Sequence, residues 1–241
     1  MVLDIKSIFS KNFINLTLNQ GVNVISTLIY TPILFQTLGD GNFGLMHLAF
    51  SIVIMLSILT NYGYSLNGPI KIVNSNDNRS QIVNEVLVLR IIISVIIIFF
   101  SYPIITFYVD ESLRKILFFS LIILFTEALN PLFYLQGINK ILPQALLNLF
   151  SKSLYLLLIV LFISEESDTY LANFFYGFSI SLFFLIFWIR NYVFKKIIFR
   201  VSIEKLIRNL KENFKFFLST TYTHFTLNSG LIILNFFVTD K

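Results

Sequence analysis

The 241-residue chain contains no cysteine. That excludes a disulfide framework, thiolate metal sites and cysteine nucleophiles. Charge is also scarce, since only 13% of residues are Asp, Glu, Lys or Arg, about half the share of an ordinary soluble domain. The two histidines, His47 and His224, lie on different segments with no acidic cluster beside either, so no metal constellation is present. A Gly-rich phosphate loop, a Ser-His-Asp order and the paired carboxylates of a glycosyltransferase are missing too. No Ala-x-Ala-like cleavage site follows the first apolar segment, which Lys6 and Lys11 precede and several Asn residues interrupt. No metal and no cofactor are expected, and the chain is expected not to be an enzyme.

What is present is apolar sequence in long runs: 56% of residues are hydrophobic and 17% aromatic, including 28 Phe. A soluble domain of this size could not hide so much apolar surface, so the expected class is an all-α polytopic membrane protein. Crossing the hydrocarbon core takes about 20 helical residues. Seven stretches qualify: Phe13–Phe35, Phe43–Leu66, Val83–Val109, Ile116–Leu135, Leu142–Ile163, Tyr170–Ile189 and Phe216–Val238. The net charge of +5 raises nucleic acid as a partner, but in a membrane protein the placement of charge matters more than its sum, and no nucleic acid is expected. With the N-terminus in the cytoplasm, thirteen of the eighteen Lys and Arg residues fall on cytoplasmic segments and three on outer ones. The positive-inside rule therefore places the N-terminus inside. The longest polar stretch runs from Arg190 to Lys215. In it Ile203, Leu206, Ile207, Leu210 and Phe214 recur at helical spacing among basic residues, which predicts a basic amphipathic helix on the inner leaflet or an ordinary solvated link.

Asn130–Lys140, reading NPLFYLQGINK, is a polar corner between two apolar runs. Pro131 lacks an amide hydrogen and forces a bend or a freed carbonyl. Phe133 and Tyr134 suit a membrane–water interface. Proline, large apolar and aromatic residues, then Gln136-Gly137-x-x-Lys140, resemble the fourth-helix end of bacterial oligosaccharide flippases. These belong to the multidrug/oligosaccharidyl-lipid/polysaccharide exporter superfamily, whose members usually carry a tryptophan near the position of Phe133. Thr37-Leu38-Gly39-x-x-x-Phe43-Gly44-Leu45 after a polar first helix, and Asn61-Tyr62-Gly63-Tyr64 closing the second, are similar to the family as well, with Asn61 where Asp is common. The pairing of Gln20, Asn23 and Thr27 with Thr221, His224 and Asn228 is a faint parallel repeat of the kind such two-lobed exporters carry.

The resemblance implies an N-terminal six-helix lobe over residues 1–189, a basic cytoplasmic link over 190–215 and the first helix of a second lobe over 216–241. Because the family usually has twelve or more helices, the chain is expected to be truncated or fragmentary. The implied function is flipping a polyprenyl-pyrophosphate-linked oligosaccharide across a bacterial inner membrane by alternating access, for O-antigen, lipopolysaccharide or other surface polysaccharide. Expected partners are that lipid-linked substrate, membrane lipid and other polysaccharide assembly proteins. Competing readings are a membrane-embedded polymerase or glycosyltransferase, an exporter of drugs or lipid precursors, and an inactive fragment.

The candidate substrate-binding residues are Arg90, Lys152, Asn15, Asn19, Asn23 and Gln136. Asn12, Asn15, Asn19, Asn23, Ser26 and Tyr30 form one face of the first helix, which cannot point at acyl chains without penalty. It is either a cavity wall that bonds sugar hydroxyls or glue between helices, and its length favours the cavity. Arg90, Lys152 and Glu127 lie deep within predicted helices, where charge is costly. A cationic cavity suits a pyrophosphate. The alternative is structural, with Glu127 paired to Arg90 or Lys152.

Overall fold

In hydrocarbon every backbone amide must find its partner within the protein, and the long apolar runs meet that demand as helices. The computed structural model describes the backbone of residues 5–75, 78–195 and 202–238, and the side chains of residue 14 and of residues 17–75, 78–191 and 202–223. The order is α1 (Ile5–Asn61), α2 (Tyr64–Asn74), α3 (Arg79–Tyr108), α4 (Glu111–Ser120), α5 (Ile123–Ala128), α6 (Leu132–Gly137) and α7 (Leu142–Phe162). A 3₁₀ turn (Glu166–Asp168), α8 (Thr169–Lys195) and α9 (Ile203–Val238) follow. Among the described residues no strand is present.

Among the described residues five stretches are long and apolar enough to cross a membrane: Thr17–Asn74, Arg79–Tyr108, Glu111–Gly137, Leu142–Phe162 and Glu166–Asn191. The protein is therefore a multi-pass, all-helical membrane protein. The first stretch is not straight. Gly39 has φ 71° and ψ 169°, a conformation that glycine adopts freely and that interrupts α1. The rings of Phe35 and Phe43 meet at 5.3 Å across this point, whereas eight residues of straight helix would separate them by about 12 Å. Leu34 and Leu38 before the bend and Met46 after it join one cluster with Tyr155, Ile159 and Ala172. The chain thus doubles back at Gly39, separating the first two expected segments.

Two expectations change. The fourth segment, expected as one run over Ile116–Leu135, is instead the broken series α4, α5 and α6. Pro131 has no amide hydrogen for the carbonyl of Glu127, four residues back, so the helix cannot continue through it. Phe133 does not sit at an interface either: it is 2% exposed, packed with Tyr64, Leu87 and Trp188. The second change concerns the link. Its helix does not end before the expected seventh segment, because α9 runs without interruption from Ile203 to Val238. Nor does its apolar stripe face the protein alone. Leu206 and Leu210 pack inward, but Ile203, Ile207, Phe214 and Leu218 are exposed while Asn209 and Asn213 are buried.

The interior is polar in places and the exterior apolar. Phe99, Phe107, Val160 and Leu161 are exposed, while Asn84, Ser94, Ser120, Ser151 and Asn173 are buried. Asn173 Nδ2 donates to Met46 O and Ser120 Oγ, each at 2.9 Å, joining α8 to α1 and α4. Thr60 and Ser94 share a hydrogen bond at 3.1 Å between α1 and α3. Polar contacts between helices surrounded by apolar surface are the pattern of a bundle built in lipid.

The links at residues 39–42, 109–115 and 164–169 gather at one end. There Asn42 Nδ2 donates to Glu166 Oε2 at 3.1 Å, and Asn42, Glu111, Lys115 and Thr169 line one recess. At the opposite end Ile72 of α2 lies against Gly137 of α6, and Lys71 meets α9.

Candidate functional site

The break in the fourth segment positions the first group of polar side chains. Pro131 cannot donate to the Glu127 carbonyl, which accepts from Asn130 N at 3.3 Å instead, and the α5–α6 corner leaves that of Asn130 without a helical donor. Arg90, on α3, reaches both: its Nη1 lies 3.3 Å from Glu127 O and 3.5 Å from Asn130 O. Its Nη2 lies 3.7 Å from Glu127 Oε1. The guanidinium also stands over the rings of Phe133 and Tyr64, with centroid distances of 5.2 and 5.6 Å. Asn61 Nδ2 donates to the same Glu127 carboxylate, and Trp188 Nε1 donates to Leu129 O at 2.7 Å. Arg90 is 1% exposed, yet it lines a pocket of about 200 Å³ with Asn61, Ser65, Glu127, Asn130 and Gln136. These long contacts place the guanidinium at the corner, while its buried Nε has no hydrogen-bond partner among the described residues.

A second pocket, also of about 200 Å³, lies between the first arm of α1 and α7. Its lining is mostly aliphatic, from Val22, Ile25 and Ile29 of α1 and Leu149 and Leu156 of α7, with Ser26, Tyr30, Lys152 and Ser153 as the polar members. Lys152 is 7% exposed. Its Nζ lies 4.0 Å from the centroid of Tyr176 and 5.8 Å from that of Tyr30. Tyr155 and Tyr176 line a neighbouring, smaller cavity with Tyr30; Tyr155 is edge-on to Tyr30 at 5.1 Å and to Tyr176 at 5.5 Å. Among the described residues no carboxylate lies within ion-pair distance of Lys152. Ring faces attract a cation without neutralising it.

The two cations are therefore not in one cavity, since their pockets share no lining residue. Gln136 accompanies Arg90, while the stripe on α1 accompanies Lys152. The described part of the stripe both joins helices and borders a pocket. Asn19 accepts a hydrogen bond from Asn148 Nδ2 at 2.6 Å, joining α1 to α7, and Ser26 and Tyr30 line the pocket. Asn23 is half-buried beside them but does not line the pocket; its backbone carbonyl accepts from the Thr27 hydroxyl. The side chains of Asn12, Asn15, His224 and Asn228 lie outside the described residues.

A third polar group was not singled out from the sequence. Asn209 Nδ2 donates to Glu85 Oε2 at 2.7 Å, and Gln81 Nε2 donates to Glu85 Oε1 at 2.7 Å. Lys71 Nζ donates to Asn209 Oδ1 at 2.7 Å and to Glu212 Oε2 at 2.8 Å. Asn67 Nδ2 donates to Asn213 Oδ1 at 2.7 Å. Beside these bonds Gly63, at φ 77°, lies so close to α9 that a Cβ there would be 2.5 Å from the Phe217 amide nitrogen. Tyr62 stacks on Phe217 at 4.8 Å. The network fixes α9 to α2 and α3. Its signal in the sequence was the four-residue spacing of Asn209 and Asn213 within an otherwise basic link.

Fold and pockets together define a multi-pass helical membrane protein with two small pockets, each bordering a buried cation. The sequence profile of the polysaccharide biosynthesis protein family matches residues 9–241, and the chain belongs to that family. No curated protein and no solved structure gives a significant match.

Proposed function

We propose that the protein acts in surface-polysaccharide synthesis by moving a polyprenyl-pyrophosphate-linked oligosaccharide from the inner to the outer leaflet of a bacterial inner membrane. One observation supports the reading: in a member of this family, a buried lysine with no carboxylate in ion-pair distance among the described residues borders a largely aliphatic pocket that also holds the hydroxyls of Ser26, Tyr30 and Ser153. The ammonium would attract a pyrophosphate, and Ser26, Tyr30 and Ser153 would take sugar hydroxyls. Arg90 has the complementary task of holding the fourth-segment corner, whose pocket, with Gln136, would be a secondary contact. In this reading residues 1–189 form a six-helix lobe, followed by the basic link at 190–215 and the first helix of a further lobe at 216–241. The N-terminus is cytoplasmic, as the charge distribution argues. The lobes rock about the pocket while the lipid tail stays in the bilayer.

The test is the fate of the lipid-linked oligosaccharide in cells lacking the gene. A flippase predicts that it accumulates in full, hidden from a lectin applied outside spheroplasts. A polymerase or glycosyltransferase predicts instead that the oligosaccharide is shorter or never made, and that outcome would remove the transport reading.

A further inference from the structure

A groove of about 600 Å³ runs between α7 and α8, at the end of the bundle where α7 begins and α8 approaches its close. Pro143, Leu146, Leu147 and Phe150 form one wall at the spacing of a single helix face. Ile186 faces them from α8. From Pro143 to Phe150 the wall extends about 10 Å along the helix axis. The Phe150 ring stacks on Phe183 at 6.1 Å, at the end of the wall farther from the helix start. Leu146 and Ile186 are about half-exposed, so the groove opens sideways, toward lipid. It shares no lining residue with either cation pocket.

Polar groups stand only at its mouth. Arg190 is exposed there, with no ion pair to any described residue. Asn191 donates one amide hydrogen to Phe187 O at 2.8 Å and keeps its second. The sequence around the mouth contains no acid at all. No Asp or Glu occurs between Glu127 and Glu165, or between Asp168 and Glu204, whereas Lys140, Lys195, Lys196 and Arg200 all fall in those intervals. Among the described lining residues an ammonium headgroup finds no counter-charge, and a phosphate finds a guanidinium whose fork matches its oxygens.

We propose that this groove is a binding site for an anionic phospholipid of the membrane, with an acyl chain along the α7–α8 walls and its phosphate on Arg190. The site is independent of the Lys152 pocket, and the substrate reading above could fail without affecting it.

Native mass spectrometry of the detergent-purified chain, incubated with phosphatidylglycerol or with phosphatidylethanolamine of the same acyl chains, tests it. The wild type should keep a phosphatidylglycerol adduct and release phosphatidylethanolamine. Arg190→Gln should weaken the adduct about tenfold, the value of one charge-assisted contact. Leu146→Trp, which fills the groove and leaves the mouth intact, should weaken it comparably while circular dichroism and elution volume stay unchanged. Equal retention of the two lipids would overturn the proposal. So would adducts that survive both substitutions, or an adduct lost with Arg190→Gln but unaffected by Leu146→Trp, which would mean surface charge alone. Displacement of phosphatidylglycerol by a polyprenyl phosphate would contradict it as well, by giving the groove to the carrier lipid.

Discussion

Arg90 and Lys152 are both buried cations, and their surroundings set opposite expectations. Arg90 contacts a carboxylate, two carbonyls and two ring faces, so Arg90→Ala leaves the Asn130 carbonyl without its donor and the Glu127 carboxylate with Asn61 but no counter-charge. Removing one member of a buried pair costs about 3–5 kcal/mol; the partial exposure of Glu127 places this case near the lower figure. Lys152 strands nothing when it goes. Lys152→Met keeps the apolar stem, removes a desolvated charge and should leave the unfolding temperature unchanged or raise it. Thermal unfolding of both variants in one detergent checks the contrast. Equal losses would mean that Lys152 has a structural partner, and the anion-site reading would fail.

At the scale of the element, the docking of α9 is the feature with the clearest consequences. Asn67 and Asn213 are both buried, so Asn213→Leu leaves an amide without a partner, at a cost of about 1–3 kcal/mol. Pairing it with Asn67→Leu should recover part of that loss, because the stranded group is gone too. Hydrogen exchange along residues 203–223 reads the docking directly, and no recovery in the double variant would show that these two amides are not partners. Acid should loosen the same contact. The Lys71 ammonium, bonded to Glu212, holds that carboxyl below the usual carboxylate range. A depressed folded-state value contributes stability above the unfolded value, and that stability is lost as pH falls through the carboxylate range. Glu212 is half-exposed, so the effect is small and screened by salt. Glu212→Gln should flatten the acid-side fall of the unfolding temperature, and an unchanged slope would argue against it.

Much of this element structure was legible in the sequence, and the rest has physical reasons for being hidden. Apolar runs located the helices because lipid demands helices. Pro131 marked the corner, but a lone apolar ring suits an interface and a core equally, so the burial of Phe133 depends on Tyr64 and Trp188, which lie far off in sequence. The spacing of Ile203 to Phe214 showed a helix without showing which face would dock. That was decided by Asn67, Lys71 and Glu85, polar partners on α2 and α3. The depth of Arg90 and Lys152 was readable from position. Their separation into two pockets was not, because it follows from which helices are neighbours.

For the molecule as a whole, orientation is the first thing to establish. The absence of cysteine makes single-cysteine labelling clean. Ser167→Cys, at the acidic end, should react with an impermeant thiol reagent applied to intact spheroplasts, and Lys211→Cys should react only after permeabilisation. The reverse pattern would invert the molecule and the transport direction.

The central claim is that the Lys152 pocket lies on the path of an anionic, sugar-bearing substrate. The most direct test is to replace Lys152 in the natural gene, confirm membrane levels by blotting, and measure outer-leaflet lipid-linked oligosaccharide with a lectin on spheroplasts. Lys152→Gln should leave the oligosaccharide assembled but hidden inside, and Lys152→Arg should restore part of its exposure because the positive charge is kept. Exposure at the wild-type level in Lys152→Gln, with normal protein levels, would contradict the account.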